Sequence, residues 1–116
     1  MPCIDFDAHW KYIQIKYKGN LKPYNRSTDA YDQTEITGVD YFTYYNSQQE
    51  QQDGETFTFR EEQGFCLRVS TIGDDHRNIV IPRTIIVDDL GDEWVIFGEI
   101  KLVTARTRYL VSAYRK

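Results

Sequence analysis

Few residues in this chain are of types that do chemistry. Its two histidines are His9 and His76. His76 lies in Gly73-Asp74-Asp75-His76-Arg77-Asn78, which sets two carboxylates beside an imidazole. These are metal-ligating types, but consecutive residues in a tight turn rarely converge on one ion, and no other cluster stands at metal spacing from them. The segment reads as a solvated hairpin turn, so neither a metal nor any other cofactor is expected. Cys3 and Cys66 form no CxxC pair, and a disulfide between them does not suit a chain with cytoplasmic features. Cys66, in GFCLRVS, reads as a buried, inert thiol. No GxSxG, HExxH, phosphate-binding glycine loop or EF-hand loop occurs. Glu61 and Glu62 are adjacent, so on a strand they point to opposite faces and form no catalytic dyad by themselves. A carboxylate pair assembled from separate strands stays open, but the expected class is a non-enzyme with no catalytic residues.

What remains suits binding. The formal net charge is −4, which argues against nucleic acid or an anionic membrane as the main partner. Residues 29–62 carry nine acids and one base, whereas residues 101–116 carry five bases and no acid. An acidic side suits a basic partner. Tyr41, Phe42, Tyr44 and Tyr45 fall within five residues, and strand alternation would send Tyr41 and Tyr45 to one face and Phe42 and Tyr44 to the other. One set should be core and the other a patch beside the acids. A tyrosine there supplies buried area and a hydroxyl to a protein partner. Ring stacking on a sugar fits the same pattern.

The elements that must position these groups are strands. The dominant hydrophobic period is two. Alternating segments run through Lys11–Lys18, Val39–Tyr45, Glu55–Arg60, Phe65–Thr71, Asn78–Val87, Glu93–Lys101 and Thr107–Tyr114. Pro82 divides the fifth, because proline cannot donate to a ladder. Gly19-Asn20, Asp53-Gly54, Gly73-Asp74-Asp75 and Asp88–Asp92 read as turns, and Ser47–Gln52 as a polar connection. The expected fold is all-β, an antiparallel sandwich of seven to eight strands, with an open barrel as the alternative. With 116 residues and no interdomain linker, residues 1–116 read as one domain. The expected core includes Trp94, Ile96, Leu67, Val69, Phe57 and Phe59. Met1–Trp10 lacks a positive n-region and an apolar h-region, and no apolar run is long enough to span a bilayer, so a cytoplasmic location without membrane insertion is expected.

The C-terminal half resembles the competence protein J family. The resemblance rests on Asn78-Ile79-Val80-Ile81-Pro82, the polar turn from Asp88 to Gly91, the apolar strand Trp94–Phe97 and the closing Arg108-Tyr109-Leu110-Val111. Asp53-Gly54 followed by Phe57, Phe59 and Phe65 extends it, so that it covers about residues 53–114. That family is known for a small acidic protein that binds and inhibits the DNA-entry nuclease of competent cells. The resemblance therefore implies an inhibitor rather than a catalyst. Physical chemistry agrees, since an acidic, tyrosine-rich surface can mimic DNA at a basic cleft and gain rapid association. Toxin-immunity proteins use the same logic.

The expected function is thus binding and inhibition of a basic enzyme, a nuclease above all, without direct nucleic-acid binding. The expected partner-binding residues are Asp53, Glu55, Glu61 and Glu62, then Asp74, Asp75, Asp88 and Asp89 on turns, with Tyr44 and Tyr45 as aromatic anchors. A non-catalytic carbohydrate-binding module or assembly subunit is the alternative.

Overall fold

The six longest strands each contribute apolar residues to one face over part of their length, and they bury that face by closing a ring. The computed structural model describes residues 16–53 and 56–116, and of residues 45–53 and 56–60 it describes the backbone alone. The strands are β1 (Tyr17–Lys22), β2 (Tyr24–Asn25), β3 (Ala30–Tyr31), β4 (Ile36–Asp53), β5 (Thr56–Arg68), β6 (Ile85–Val87), β7 (Glu93–Val103) and β8 (Arg108–Arg115). The barrel order is β1-β4-β5-β8-β7-β6, every pairing is antiparallel, and β1 closes it by pairing with both β4 and β6. β2 and β3 form a separate small hairpin. The all-β expectation holds, and the architecture is the barrel expected as the alternative to a sandwich, closed rather than open. The short β6 makes the difference, because it bridges β1 to β7 and so joins all six strands into one closed sheet.

Alternation fills the interior. Phe65 and Leu67 of β5, Trp94 and Ile96 of β7, and Tyr109, Val111 and Ala113 of β8 are all buried, with Leu21, Val39, Tyr41 and Ile86 from the remaining strands. Trp94, Ile96 and Leu67 thus belong to the core, as expected. Val69 is only partly buried, because a 3-10 turn, Val69–Thr71, replaces the end of the expected strand. The side chains of Phe57 and Phe59 lie outside the described residues.

Four local expectations fail for physical reasons. Gly19 and Asn20 sit inside β1, not in a turn. Gly19 is there for close approach, since a Cβ would lie 2.5 Å from the Val87 carbonyl oxygen and 2.9 Å from the Tyr41 ring. Ser47–Gln52 is strand, each residue pairing with β5. β5 and β8 last pair at Glu62 and Tyr114, so the β4–β5 hairpin continues beyond the rungs β8 shares. Asn78–Val80 is not strand, because a single helical turn, His76–Ile79, and the chain through Pro82 lead to β6. This segment, with Ile72 and Val80 buried, caps one end of the barrel. His76 is half-buried there, its Nδ1 2.6 Å from the Tyr109 hydroxyl, and is not the solvated turn residue expected.

Cys66 is fully buried and free, and burial pushes its thiol up to about 11, as suits an inert side chain. Among the described residues no helix is long and apolar enough to cross a membrane.

Candidate functional site

Strand register sorts the acidic candidates between the two ends of the barrel. Trp94 pairs with Arg115, and Val103 with Arg108, so the loop 88–92 before β7 lies at one end. The 3-10 turn and the helical turn that follow Arg68 lie at the other, because Arg68 pairs with Arg108.

The first end is an open mouth. A chain of rings floors it: Tyr17 to Tyr41, Tyr41 to Phe65 and Phe65 to Trp94, with centroids 5.5, 5.6 and 5.6 Å apart. Above these rings is a groove of about 430 Å³ whose lining includes Glu61, Asp88, Asp89, Asp92 and Arg115. Among the described residues, four carboxyl side chains thus share the mouth with one guanidinium.

Asp88 builds the loop. Its Oδ1 accepts from the backbone N–H groups of Leu90 (2.9 Å) and Asp92 (2.8 Å), and its Oδ2 accepts from Trp94 Nε1 (3.0 Å). Gly91, at φ 87°, takes the left-handed turn that returns the chain to β7. The consequence is an exposed apolar tip, Leu90, at 82% relative exposure. Tyr41 ties the loop to the barrel: its hydroxyl donates to Asp89 Oδ1 (3.2 Å) and accepts from Asp89 N–H (3.1 Å). Burial pushes the Tyr41 hydroxyl well above its ordinary pKa, so it remains a protonated donor. Arg115 joins two walls, contacting Glu61 Oε2 at 3.3 Å and Asp92 Oδ1 at 3.2 Å.

The structure therefore brings together Glu61, Asp88 and Asp89 of the expected set. Asp88 is engaged within its own turn, so it is a positioning residue rather than a contact. Asp74 and Asp75 are exposed at the opposite end, where Asp75 accepts from Asn78 Nδ2 at 2.6 Å, and they do not join the mouth. Glu62 is 8% exposed and engaged, because alternation turns it away from Glu61, so it offers no surface carboxylate. Asp53 ends β4, but its side chain, that of Tyr45, and all of Glu55 lie outside the described residues.

Tyr44 stands on the outer wall, away from the mouth. It is the extra residue of a β-bulge, where the register shifts between Thr43 and Tyr45. Its ring covers Gly64, where a Cβ would come within 2.6 Å of it, and its hydroxyl donates to the Val111 carbonyl at 3.4 Å. Phe42 lies on the same outer wall, packed on Cys66, as alternation requires.

Sequence reading missed Asp92 and Leu90 as site residues. Both stood in the polar turn Asp88–Asp92, and the signal was the lone leucine among its acids. Among the described residues no group of three or more His, Cys, Asp or Glu is placed to hold a metal ion. The mouth can receive cationic and apolar groups together. The chain was compared with known protein families, curated proteins and solved structures, and none of them matches it.

Proposed function

We propose that this protein is a non-catalytic inhibitor that binds a basic partner protein, with a nuclease as the best-fitting class. One observation carries the reading: Glu61, Asp89 and Asp92 rim an aromatic-floored mouth beside the exposed Leu90. A basic cleft meeting this end gains charge complementarity from the rim and buried apolar area from the tip. The resemblance of residues 53–114 to the competence protein J family supports the nuclease as partner. The buried Tyr41 and Trp94 rings, at 2% and 4% exposure, present little face for sugar stacking at the mouth, which favours a protein ligand there.

The test has two steps. The immobilised protein is used to recover its partner from the native host, and the recovered protein is then assayed for DNA cleavage with and without stoichiometric inhibitor. A basic nuclease whose cleavage is suppressed is the expected result. A partner whose DNA cleavage is unchanged by the protein, or that has none, overturns the reading.

A further inference from the structure

The outer wall of the barrel carries a second concave surface, separate from the mouth. It is a groove of about 390 Å³ between Tyr44 and the β7 strand. That size falls within the roughly 300–1,000 Å³ usual for small-ligand sites. Leu110 and Ser112, successive outward positions of β8, make its floor. Phe97 forms the far wall, held against Tyr114 with ring centroids 5.7 Å apart.

Two irregularities of the sheet shape this groove. The bulge at Tyr44 lays an aromatic ring over Gly64, and only a residue without a Cβ admits the ring there. Tyr44 keeps 49% of its surface exposed, so one ring face is spent on the barrel and the other is offered to solvent. The second irregularity is the register shift of β7 between Phe97 and Lys101, with Gly98 at φ 72°. Bulges re-aim side chains, and this one sets Glu99 and Lys101 at the rim of the groove. Among the described residues neither Glu99 nor Lys101 is in an ion pair, although they stand two residues apart with opposite charge.

The groove therefore offers a preset ring face, apolar surface from Leu110 and Phe97, a carboxylate acceptor, an ammonium donor and the Ser112 hydroxyl. A ligand that matches all of these has a flat apolar face and several hydroxyls on one molecule. We infer that this outer groove is a carbohydrate subsite, in which one pyranose ring stacks on Tyr44 and its neighbour reaches Ser112, Glu99 and Lys101. Stacking supplies the contact area, and the rim supplies orientation. The inference stands apart from the inhibitor reading, since it uses neither the mouth nor its acids.

The test is an amide-resolved NMR titration of the whole protein with cellohexaose, chitohexaose and mannohexaose in turn. Saturable shifts are expected at Gly64, Gly98–Lys101 and Ser112 with at least one of the three. Tyr44→Ala should weaken that binding roughly tenfold or more, whereas Tyr44→Phe should keep it. Because Tyr44→Ala also uncovers Gly64, Lys101→Ala provides a second variant at an exposed position, expected to weaken binding by about threefold. No saturable shift with any of the three sugars overturns the inference. Binding that ignores both Tyr44→Ala and Lys101→Ala overturns it equally. A response to N-acetyl-tryptophanamide in place of the sugars would reassign the groove to an apolar side chain and overturn it too.

Discussion

Asp88 shows how a single carboxylate can decide the shape of a binding surface without touching a partner. Its two oxygens receive three donors, two from the loop backbone and one from Trp94. Asp88→Asn keeps the size but replaces one acceptor with a donor. Either the Trp94 N–H or the loop amides then face another N–H, so a loss of about 1–3 kcal/mol is expected from the stranded donor. Urea unfolding checks this, and an unchanged midpoint would contradict the clamp. Asp40 gives a residue-scale test by pH. Burial alone would raise its carboxyl, but Lys18 at 2.8 Å and Arg68 at 3.1 Å outweigh burial and hold it below the ordinary value. A depressed folded-state pKa contributes stability above the unfolded value, about 3.9, and that contribution is lost as pH falls through the folded one. The gap in stability between the wild type and Asp40→Asn should therefore be full at pH 6 and shrink below about pH 4. Melting curves across that range decide it, and a gap constant down to pH 2 would remove the ion pairs as its cause.

At the scale of elements, the β7–β8 turn carries unusual backbone. Thr104, Ala105 and Arg106 stand in succession at φ 53°, 52° and 63°, a left-handed run without glycine. Thr107 stabilises it, its N–H reaching the Val103 carbonyl at 3.2 Å and its Oγ1 donating to the Thr104 carbonyl at 2.6 Å. A side chain at positive φ costs roughly 1–2 kcal/mol, and glycine removes that cost while giving back part of it as unfolded-state entropy. Ala105→Gly should thus raise stability by up to about 1 kcal/mol, seen as a melting temperature higher by a few degrees. A lower melting temperature would show that the left-handed run carries no strain. This turn was not legible in the sequence, because Thr-Ala-Arg-Thr holds no turn signal. The strands were legible wherever one face was core: the alternation of Phe65 and Leu67, or of Trp94 and Ile96, follows from burial. Gly19 misled because a glycine needed for close approach looks, in sequence, like one needed for a turn. The run Ser47–Gln52 misled because its pairing is made by backbone, which polar side chains do not reveal.

On the scale of the whole molecule, closure into a barrel redistributes the charge that the sequence kept in blocks. The acidic stretch 29–62 does not form one surface. Asp40 pairs with Lys18 and Arg68, Asp29 with Arg83, and Glu35 with Lys22. The basic end turns back onto acids as well, Arg115 onto Glu61 and Asp92, and Lys116 onto Glu93. Local charge counts could not foresee these pairings, since each joins residues far apart in the chain. What remains at the mouth is a smaller acidic set held by Asp88 and Tyr41, and that set is what a salt test must address. Reversal of Glu62 is unsuitable, because it would place a lysine at a position only 8% exposed. Asp89 and Asp92 are the better pair at the mouth, and Asp74 and Asp75 at the opposite end are the matched control. If the mouth meets a basic partner, association with the recovered partner should slow as salt shortens the Debye length from roughly 30 Å at 0.01 M to about 10 Å at 0.1 M. Asp89→Lys with Asp92→Lys should lower the on-rate by about tenfold at low salt, with the off-rate changed less. Asp74→Lys with Asp75→Lys adds the same formal charge and should change the on-rate by less than about threefold. Stopped-flow association across a salt series separates these outcomes. Equal effects from the two double reversals would mean that net charge, not the mouth, governs encounter. A rate indifferent to salt would leave the acidic rim without a role.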